Sequence, residues 1–242
     1  PLLWVCIFAA AIAGGIIQTV TGFGAAVILM IVLPVFFDMV VAPAISSTIC
    51  AGLNILLVIK FRKEVDPRVF LFPTLFYLCA STAAIYLAAS LELEVLSAAF
   101  GIFLMLLSVY SFFFSRRLSL KPTRFVAAAC ALLGGACSGL FSTGGPIMAL
   151  FFSAATDRKE SYTANFQALF VVTNLLNLVT RVSRGIYTAD MVPFTILGIL
   201  GVNLGKHFGL RLLDKLDAAQ TKKIIYLFVG LSGLSTTIKA VL

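Results

Sequence analysis

The sequence predicts an all-α polytopic membrane protein built from two four-segment repeats. Three observations lead to this fold class. First, 61% of the residues are hydrophobic and 12% are charged, whereas an ordinary soluble domain carries about 25% charged residues. Second, uncharged runs such as residues 69–91 and 95–115 are long enough to cross a hydrocarbon core of about 30 Å as helices. Third, the special residues of the first half recur in the second.

The repeat emerges when residues 1–120 are placed on residues 121–242 without a gap. The coinciding positions are Gly14 and Gly134, Gly15 and Gly135, Gly24 and Gly144, Asn54 and Asn174, and Pro73 and Pro193. We therefore predict an N-terminal transmembrane repeat over 1–120 and a C-terminal one over 121–242. Their apolar segments are 2–37, 39–60, 68–91 and 95–115, then 124–156, 161–180, 190–213 and 220–241.

The first segment of each repeat predicts a broken or re-entrant helical hairpin. Residues 125–156 carry no charge over 32 positions, which is too short for two full spans of about 20 residues and too long for one. The glycine pair and the glycine-rich break that follows it divide this run into pieces of roughly 16 and 11 residues, which we interpret as half-helices. Residues 2–37 divide in the same way.

The positions of the basic residues favour re-entrant hairpins. If both first segments are re-entrant, 15 of the 18 lysines and arginines fall on the cytoplasmic side, and Arg181 and Arg184 are among those left outside. If all eight segments cross fully, the bias that cytoplasmic loops normally show is poor. Each repeat then crosses three times, so the repeats are inverted, as in many secondary transporters. We expect a multi-pass protein of the cell inner membrane.

Several other classes of protein are disfavoured. The net charge of +8 resides in short loops between apolar runs, which argues against nucleic-acid binding. No nucleotide-binding motif is found, and His207 is the single histidine without an acidic cluster, so we expect no metal or other cofactor. An intramembrane enzyme would need a general base beside Cys137 or Ser142. No candidate base lies at a sequence spacing typical of such a pair, so we expect no enzyme.

The two breaks, "TVTGFG" at 19–24 and "FSTGGP" at 141–146, predict the functional site. A broken helix leaves polar backbone groups that lipid cannot satisfy, so it survives beside a cavity or a ligand. Thr21, Ser142 and Thr143 are candidate N-caps for the helices that follow, and Pro146 suits a first helical turn. Two facing helix N-termini attract an anion without a fixed cation.

Amides and hydroxyls on the neighbouring segments complete the predicted site. Gln167, Asn174 and Arg181 are spaced by seven residues, so they share a helix face. The alternative interpretations are that the glycines are close-packing points and that the amides join helices. The candidate substrate-binding residues are Gln18, Thr21, Gly22, Phe23, Gly24, Ser47, Asn54, Ser142, Thr143, Gly144, Gly145, Gln167, Asn174 and Asn177.

With these residues the chain resembles a known family. "GGIIQTVTGFG" followed by Pro34, and "GGACSGLFSTGGP", resemble the paired glycine motifs of the TauE/SafE sulfite exporter family, also called the 4-toluene sulfonate uptake permeases. Asn54 and Asn174 fit as well. The resemblance covers essentially the whole chain and implies transport of sulfite, sulfoacetate or related organosulfur anions. The chain departs from the family pattern at Ala25-Ala26 and at Ser142-Thr143.

The resulting hypothesis is a secondary transporter of small sulfur-containing anions, bound between the two breaks. An anion channel and a transporter of an unrelated small organic anion are the alternatives. The expected partners are the lipid bilayer and the anionic substrate. A coupling proton and a homodimer are left open by the sequence.

Overall fold

The computed structural model describes residues 2–113 and 121–212, together with residues 229, 230, 232–234 and 236–238. Regular structure over these residues is helical throughout. The helices of the two long stretches are α1 (Leu2–Thr21), α2 (Ala25–Val32), α3 (Ala42–Lys60), α4 (Pro67–Ala88), α5 (Leu93–Phe113), α6 (Arg124–Phe141), α7 (Gly145–Ala155), α8 (Lys159–Ser183) and α9 (Val192–Leu212). Short 3-10 turns lie at Leu33–Val35, Arg62–Glu64 and Ala189–Met191.

Seven helices of the described chain are long and apolar enough to cross a membrane: α1, α3, α4, α5, α6, α8 and the stretch Ala189–Gly209 that contains most of α9. The apolar helices Ala25–Val35 and α7 are shorter. Many large apolar side chains, such as Leu71, Leu106 and Phe125, point outward and are more than half exposed, as expected of a surface that faces lipid. The prediction of an all-helical polytopic membrane protein is confirmed.

Five predicted segments match α3, α4, α5, α8 and α9 to within three residues at either end. The predicted segment 220–241 lies largely outside the described residues, and so do several of the basic residues used for the topology. Those basic residues are Arg116, Arg117, Lys215, Lys222 and Lys223.

The first segment of each half is broken where the sequence predicted, and the second-half limbs of 18 and 11 residues are close to the predicted pieces of roughly 16 and 11. The long limbs, however, have spanning length and are not half-helices. α1 has 20 residues and α6 has 18, and the glycine pairs 14–15 and 134–135 lie inside them without interrupting them. The second limbs are short, with 8 residues in α2 and 11 in α7. Each hairpin therefore joins one limb of spanning length to one limb of about half that length.

The glycine pairs instead let helices approach closely. A Cβ atom on Gly15 would overlap the carbonyl of Val202 in α9, and one on Gly135 would overlap the carbonyl of Tyr77 in α4. Small residues at such crossings let helix backbones touch in a membrane. These pairs are therefore packing points, and the interpretation that they help to divide the run into half-helices was wrong.

The two halves exchange their packing partners. The long limb α1 packs against α9, and the long limb α6 packs against α4. In both pairs the helices are parallel: Tyr77 and Ser81 of α4 meet Gly135 and Gly139 of α6 in the same order. Each hairpin is thereby held by the third full-length helix of the other half.

The central helices α3 and α8 pack against each other and run in opposite directions. Arg181 at the end of α8 donates to the Pro43 carbonyl at the start of α3. Asn165 near the start of α8 donates to the Glu64 carbonyl just beyond the end of α3. Most of the buried polar side chains lie on or beside this pair, so the interior is more polar than the surface.

Candidate functional site

Both helix breaks adopt a left-handed backbone. Gly22 and Gly24 have φ of 88° and 115°, and Ser142 has φ of 59°. Only glycine takes such angles without steric cost, so Ser142 is strained where Gly22 stands at the equivalent position of the first hairpin. The N–H of Gly22 donates to the Gln18 carbonyl and that of Ser142 to the Ser138 carbonyl, both at 2.8 Å. The two long limbs therefore end with the same turn.

After each break the chain doubles back to the middle of the limb it has left. A Cβ atom on Gly14 would lie 3.1 Å from Cα of Ala25, the first residue of α2. One on Gly134 would lie 3.3 Å from the carbonyl oxygen of Gly144, which directly precedes α7. Gly14 lies seven residues before the end of α1, or about 10 Å along the helix axis. The short limbs α2 and α7 thus begin deep inside the protein.

Glycines, and not hydroxyl residues, cap the two short limbs. The N-caps are Gly24 for α2 and Gly144 for α7, and neither limb receives a side-chain cap bond at that position. The prediction of Ser142 and Thr143 as N-caps is therefore wrong, because α7 begins after them; the side chain of Thr21 lies outside the described residues. Pro146 lies in the first turn of α7, as predicted.

The two hairpins meet at a small cavity of about 30 Å³. Eight of the predicted site residues line it: Gln18, Phe23, Gly24, Asn54, Ser142, Gly145, Gln167 and Asn174. They come from both breaks and from both central helices. The cavity is therefore where the two halves of the sequence contribute matching groups, including the repeat-related pair Asn54 and Asn174.

Hydrogen bonds fix the amides around this cavity. Nε2 of Gln18 donates to Oδ1 of Asn54 at 2.8 Å, and Oε1 of Gln18 accepts from the Ala25 N–H at 3.3 Å. Nε2 of Gln167 donates to the Gly22 carbonyl at 3.0 Å. Gln18 and Gln167 thus hold polar backbone groups that the first break exposes, as a break in a membrane requires.

One amide oxygen at the cavity has no partner. Oε1 of Gln167 is buried and accepts no hydrogen bond from the described residues. An unpaired buried polar atom costs about 1–3 kcal/mol. A ligand that carries a donor, or a water molecule, would remove that cost, so this atom is a candidate ligand contact.

Four predicted site residues have other neighbours in the structure. Ser47 accepts a hydrogen bond from Arg181, and Asn177 accepts one from Ser81 at 2.9 Å. Gly144 is packed against Gly134 and Tyr77, and the hydroxyl of Thr143 is buried without a partner in the described part of the chain. These residues surround the cavity but do not line it.

Three residues that the sequence did not single out for the site line the cavity: Cys50, Phe166 and Phe170. Ala26, where the chain departs from the family pattern, lines it as well. The two phenyl rings pack with centroids 4.8 Å apart and give the cavity an apolar wall. Their spacing of four residues beside Gln167 is the signal that could have found them. In an apolar chain with 22 phenylalanines that signal is weak.

Arg181 was predicted in two ways from the sequence. Its spacing from Gln167 and Asn174 placed it on their helix face, which is confirmed, whereas the charge count placed it in an outer loop; it is 2% exposed in the last turn of α8. Its Nη1 donates to the Pro43 carbonyl at 2.7 Å and to the Ser47 hydroxyl at 2.6 Å, and its Nη2 donates to the Gly139 carbonyl at 2.9 Å. No carboxylate pairs with it among the residues described.

Arg181 gives the interior a net positive charge. It is the one charged side chain that is buried in the described chain, and all its acceptors are neutral. Asn174 precedes it by seven residues on α8, and its partner Ser47 precedes Asn54 by seven on α3, which corresponds to about 10 Å along each helix axis between the guanidinium region and these two asparagines. A buried charge at that distance acts on an anion with little screening by salt.

The cavity is suited to binding an anion rather than to catalysis. Two helix N-termini, four amides and a nearby cation favour negative charge, and none of the described residues that line the walls carries a carboxylate. Within the described residues no group of three or more potential ligands could hold a metal ion. Cys137 lies near the second break but does not line the cavity, whereas Cys50 does.

Broken helices whose short limbs start deep inside the protein, together with seven helices of spanning length in the described residues, are typical of membrane transporters. The model of the family "Sulfite exporter TauE/SafE" matches residues 7–236, nearly the whole chain. The protein belongs to this family of membrane transporters and is not an enzyme. No curated protein and no solved structure matches the chain.

Proposed function

We propose that this protein is a secondary transporter of small sulfur-containing anions, such as sulfite, sulfoacetate and other organosulfonates, in the cell inner membrane. The anion binds in the cavity between the two helix breaks. The observation that carries the proposal is the gathering of Gln18, Asn54, Gln167 and Asn174 around the starts of α2 and α7, with no carboxylate among the lining residues.

Each group in the cavity has a role in this proposal. The polarised N-terminal ends of α2 and α7 attract the sulfonate or sulfite oxygens, and the amides orient them by hydrogen bonds. The rings of Phe23, Phe166 and Phe170 contact the organic part of a sulfonate. Arg181 contributes a long-range attraction without occupying the binding cavity, so the anion can still leave.

The size of the cavity supports a carrier rather than an open channel. A volume of about 30 Å³ holds about two water molecules, and an anion with three oxygens on sulfur needs more room. The hairpins must therefore move apart before the anion enters. A motion of this kind, which exposes the site to one side at a time, distinguishes a transporter from a continuous pore.

The pairing of the helices supports two inverted repeats, 1–120 and 121–242. The equivalent helices α3 and α8 are antiparallel, and each hairpin packs on the other half, as a two-fold axis in the membrane plane requires. Starting at mid-depth, α2 and α7 carry the chain back toward the side from which the long limbs came. We propose that each hairpin is re-entrant and that the halves rock about the cavity.

Flux into proteoliposomes tests the proposal. We expect saturable uptake of at least one of sulfite, sulfoacetate, taurine or an aryl sulfonate, with chloride as the control anion. Flux that does not saturate and accepts chloride equally would indicate a channel. No flux of any sulfur anion, from a protein that is folded in the liposome, would refute the proposal.

Two further measurements in the same preparation address the partners. A pH gradient across the liposome tests coupling to a proton, which would make uptake depend on the gradient at constant substrate. Mass photometry of the purified protein tests the homodimer, which would give twice the chain mass of 25.9 kDa.

A further inference from the structure

A second, larger cavity lies between α4, α6 and α7, and it shares no lining residue with the cavity at the breaks. Its volume is about 360 Å³. It is lined by Arg68, Val69, Phe72, Pro73, Pro122, Thr123, Arg124, Ala127, Phe151 and Ala155. Since α4 and α6 are parallel, the two arginines lie at the same end of neighbouring helices.

Neither arginine of this cavity is paired with a carboxylate of the described residues. Arg68 is the second residue of α4 and Arg124 the first of α6, and both are exposed. The ion pairs of the described residues involve Arg158, and not these two. The nearby carboxylate of Asp66 accepts the backbone N–H of Arg68 at 2.9 Å as the cap of α4. Two guanidinium groups are therefore free to bind a phosphate, for which their planar donors are well suited.

The surface next to the arginines is apolar and faces lipid. Phe72 lines the cavity and is 38% exposed, and Leu71, Leu75 and Phe125 nearby are 56%, 62% and 82% exposed. These side chains continue along the outer faces of α4 and α6, where acyl chains lie in a bilayer. A water-soluble anion would make no use of this surface, whereas a phospholipid would use it together with the arginines.

Pro73 also removes one helical donor beside the cavity. Pro73 has no N–H, so it leaves the carbonyl of Val69 without the helical donor it would otherwise have. Val69 and Pro73 both line the cavity. A head group with hydroxyls, such as glycerol, carries the donor that this carbonyl lacks.

We propose that this cavity binds an anionic phospholipid of the phosphatidylglycerol type, with its phosphate between Arg68 and Arg124 and its acyl chains along the exposed faces of α4 and α6. The lipid would contact Phe151 and Ala155 of the short limb α7. The site is separate from the proposed anion cavity, so a test of lipid binding does not depend on which substrate is transported.

Native mass spectrometry of the full-length protein in detergent tests the site. The probes are phosphatidylglycerol and phosphatidylcholine, titrated against wild type, Arg68→Gln/Arg124→Gln and the charge-keeping Arg68→Lys/Arg124→Lys. The matched control is Arg62→Gln/Lys63→Gln, which removes two exposed cations just before α4 and outside the cavity. Circular dichroism melting of each variant confirms that it is folded.

We expect wild type to prefer phosphatidylglycerol and the double glutamine variant to bind it roughly 25-fold more weakly, or about fivefold for each arginine. The lysine variant should keep most of the affinity, and the control pair should stay within twofold of wild type. Unchanged binding in the glutamine variant would overturn the proposal. Displacement of the lipid by equal concentrations of inorganic phosphate or sulfite would also overturn it, since the cavity would then be a simple anion site.

Discussion

Replacing Arg181 with glutamine should weaken anion binding by an amount that depends on the charge of the anion. The rise of seven residues along α8 to Asn174, or along α3 from Ser47 to Asn54, places the guanidinium about 10 Å from the two cavity asparagines. With an effective dielectric constant of about 20, one unit charge at that distance contributes about 1.7 kcal/mol. The Arg181→Gln variant should therefore bind a monoanion such as isethionate roughly 15-fold more weakly than wild type. It should bind a dianion such as sulfoacetate roughly 200-fold more weakly.

The assay is isothermal titration calorimetry on the purified protein, in a buffer whose counter-ion is too large for the cavity. Two variants serve as controls. Arg181→Lys keeps the charge and should lose much less affinity than Arg181→Gln. Arg184→Gln removes an exposed cation that stacks 4.7 Å above the ring of Tyr86, and its affinity should stay within twofold of wild type.

The dependence on ligand charge separates electrostatics from structural damage. Arg181→Gln also leaves the Pro43 and Gly139 carbonyls short of donors, so it should lower the thermal stability as well. A distorted cavity would weaken monoanions and dianions by the same factor, whereas a lost charge weakens dianions by about the square of that factor. Equal losses for the two ligands, or no loss in a folded variant, would refute the electrostatic argument.

Three further predictions concern the cavity itself. Gly144→Ala should unfold or inactivate the transporter because its Cβ would overlap the Gly134 carbonyl. The control Gly145→Ala, whose Cβ would lie 3.3 Å from Cβ of Phe23, should keep its melting temperature within a few degrees of wild type. Equal melting curves for the two variants would contradict the packing. Asn174→Asp should abolish anion binding, since like charges about 4 Å apart repel by about 4 kcal/mol at an effective dielectric constant of 20. Asn203→Asp, outside the cavity on α9, should still bind the anion. Isothermal titration calorimetry of both variants measures the difference in affinity. In a variant with Cys50 as its single cysteine, a transported anion should slow labelling by a thiol-specific reagent in liposomes, and an unchanged labelling rate would mean that the cavity is not on the transport path.

Much of the fold could be predicted from the sequence because lipid imposes a simple rule. A helix that spans a bilayer must be apolar over about 20 residues, so composition alone located α3, α4, α5, α8 and α9. The two breaks were predictable for a related reason, since clustered glycines between apolar runs are costly in a membrane unless they have a use.

The lengths of the hairpin limbs could not be predicted in the same way. Gly14-Gly15 and Gly134-Gly135 read as breaks in the sequence, but they are tolerated inside helices because α9 and α4 pack directly onto them. Whether a glycine breaks a helix or admits a neighbour depends on which helix lies beside it. That neighbour comes from the other half of the chain, so local sequence cannot reveal it.

The sequence by itself determined that this protein is a helical membrane protein with two matching breaks, because hydropathy and backbone polarity act locally, and its paired glycine motifs indicated the transporter family. The tertiary structure decided which polar groups share the cavity. It brought Gln18 to Asn54 and Gln167 to the Gly22 carbonyl, and it turned Arg181 from an expected loop residue into a buried cation. These contacts join residues that are from 36 to 145 positions apart, and only the tertiary packing of the helices brings them together.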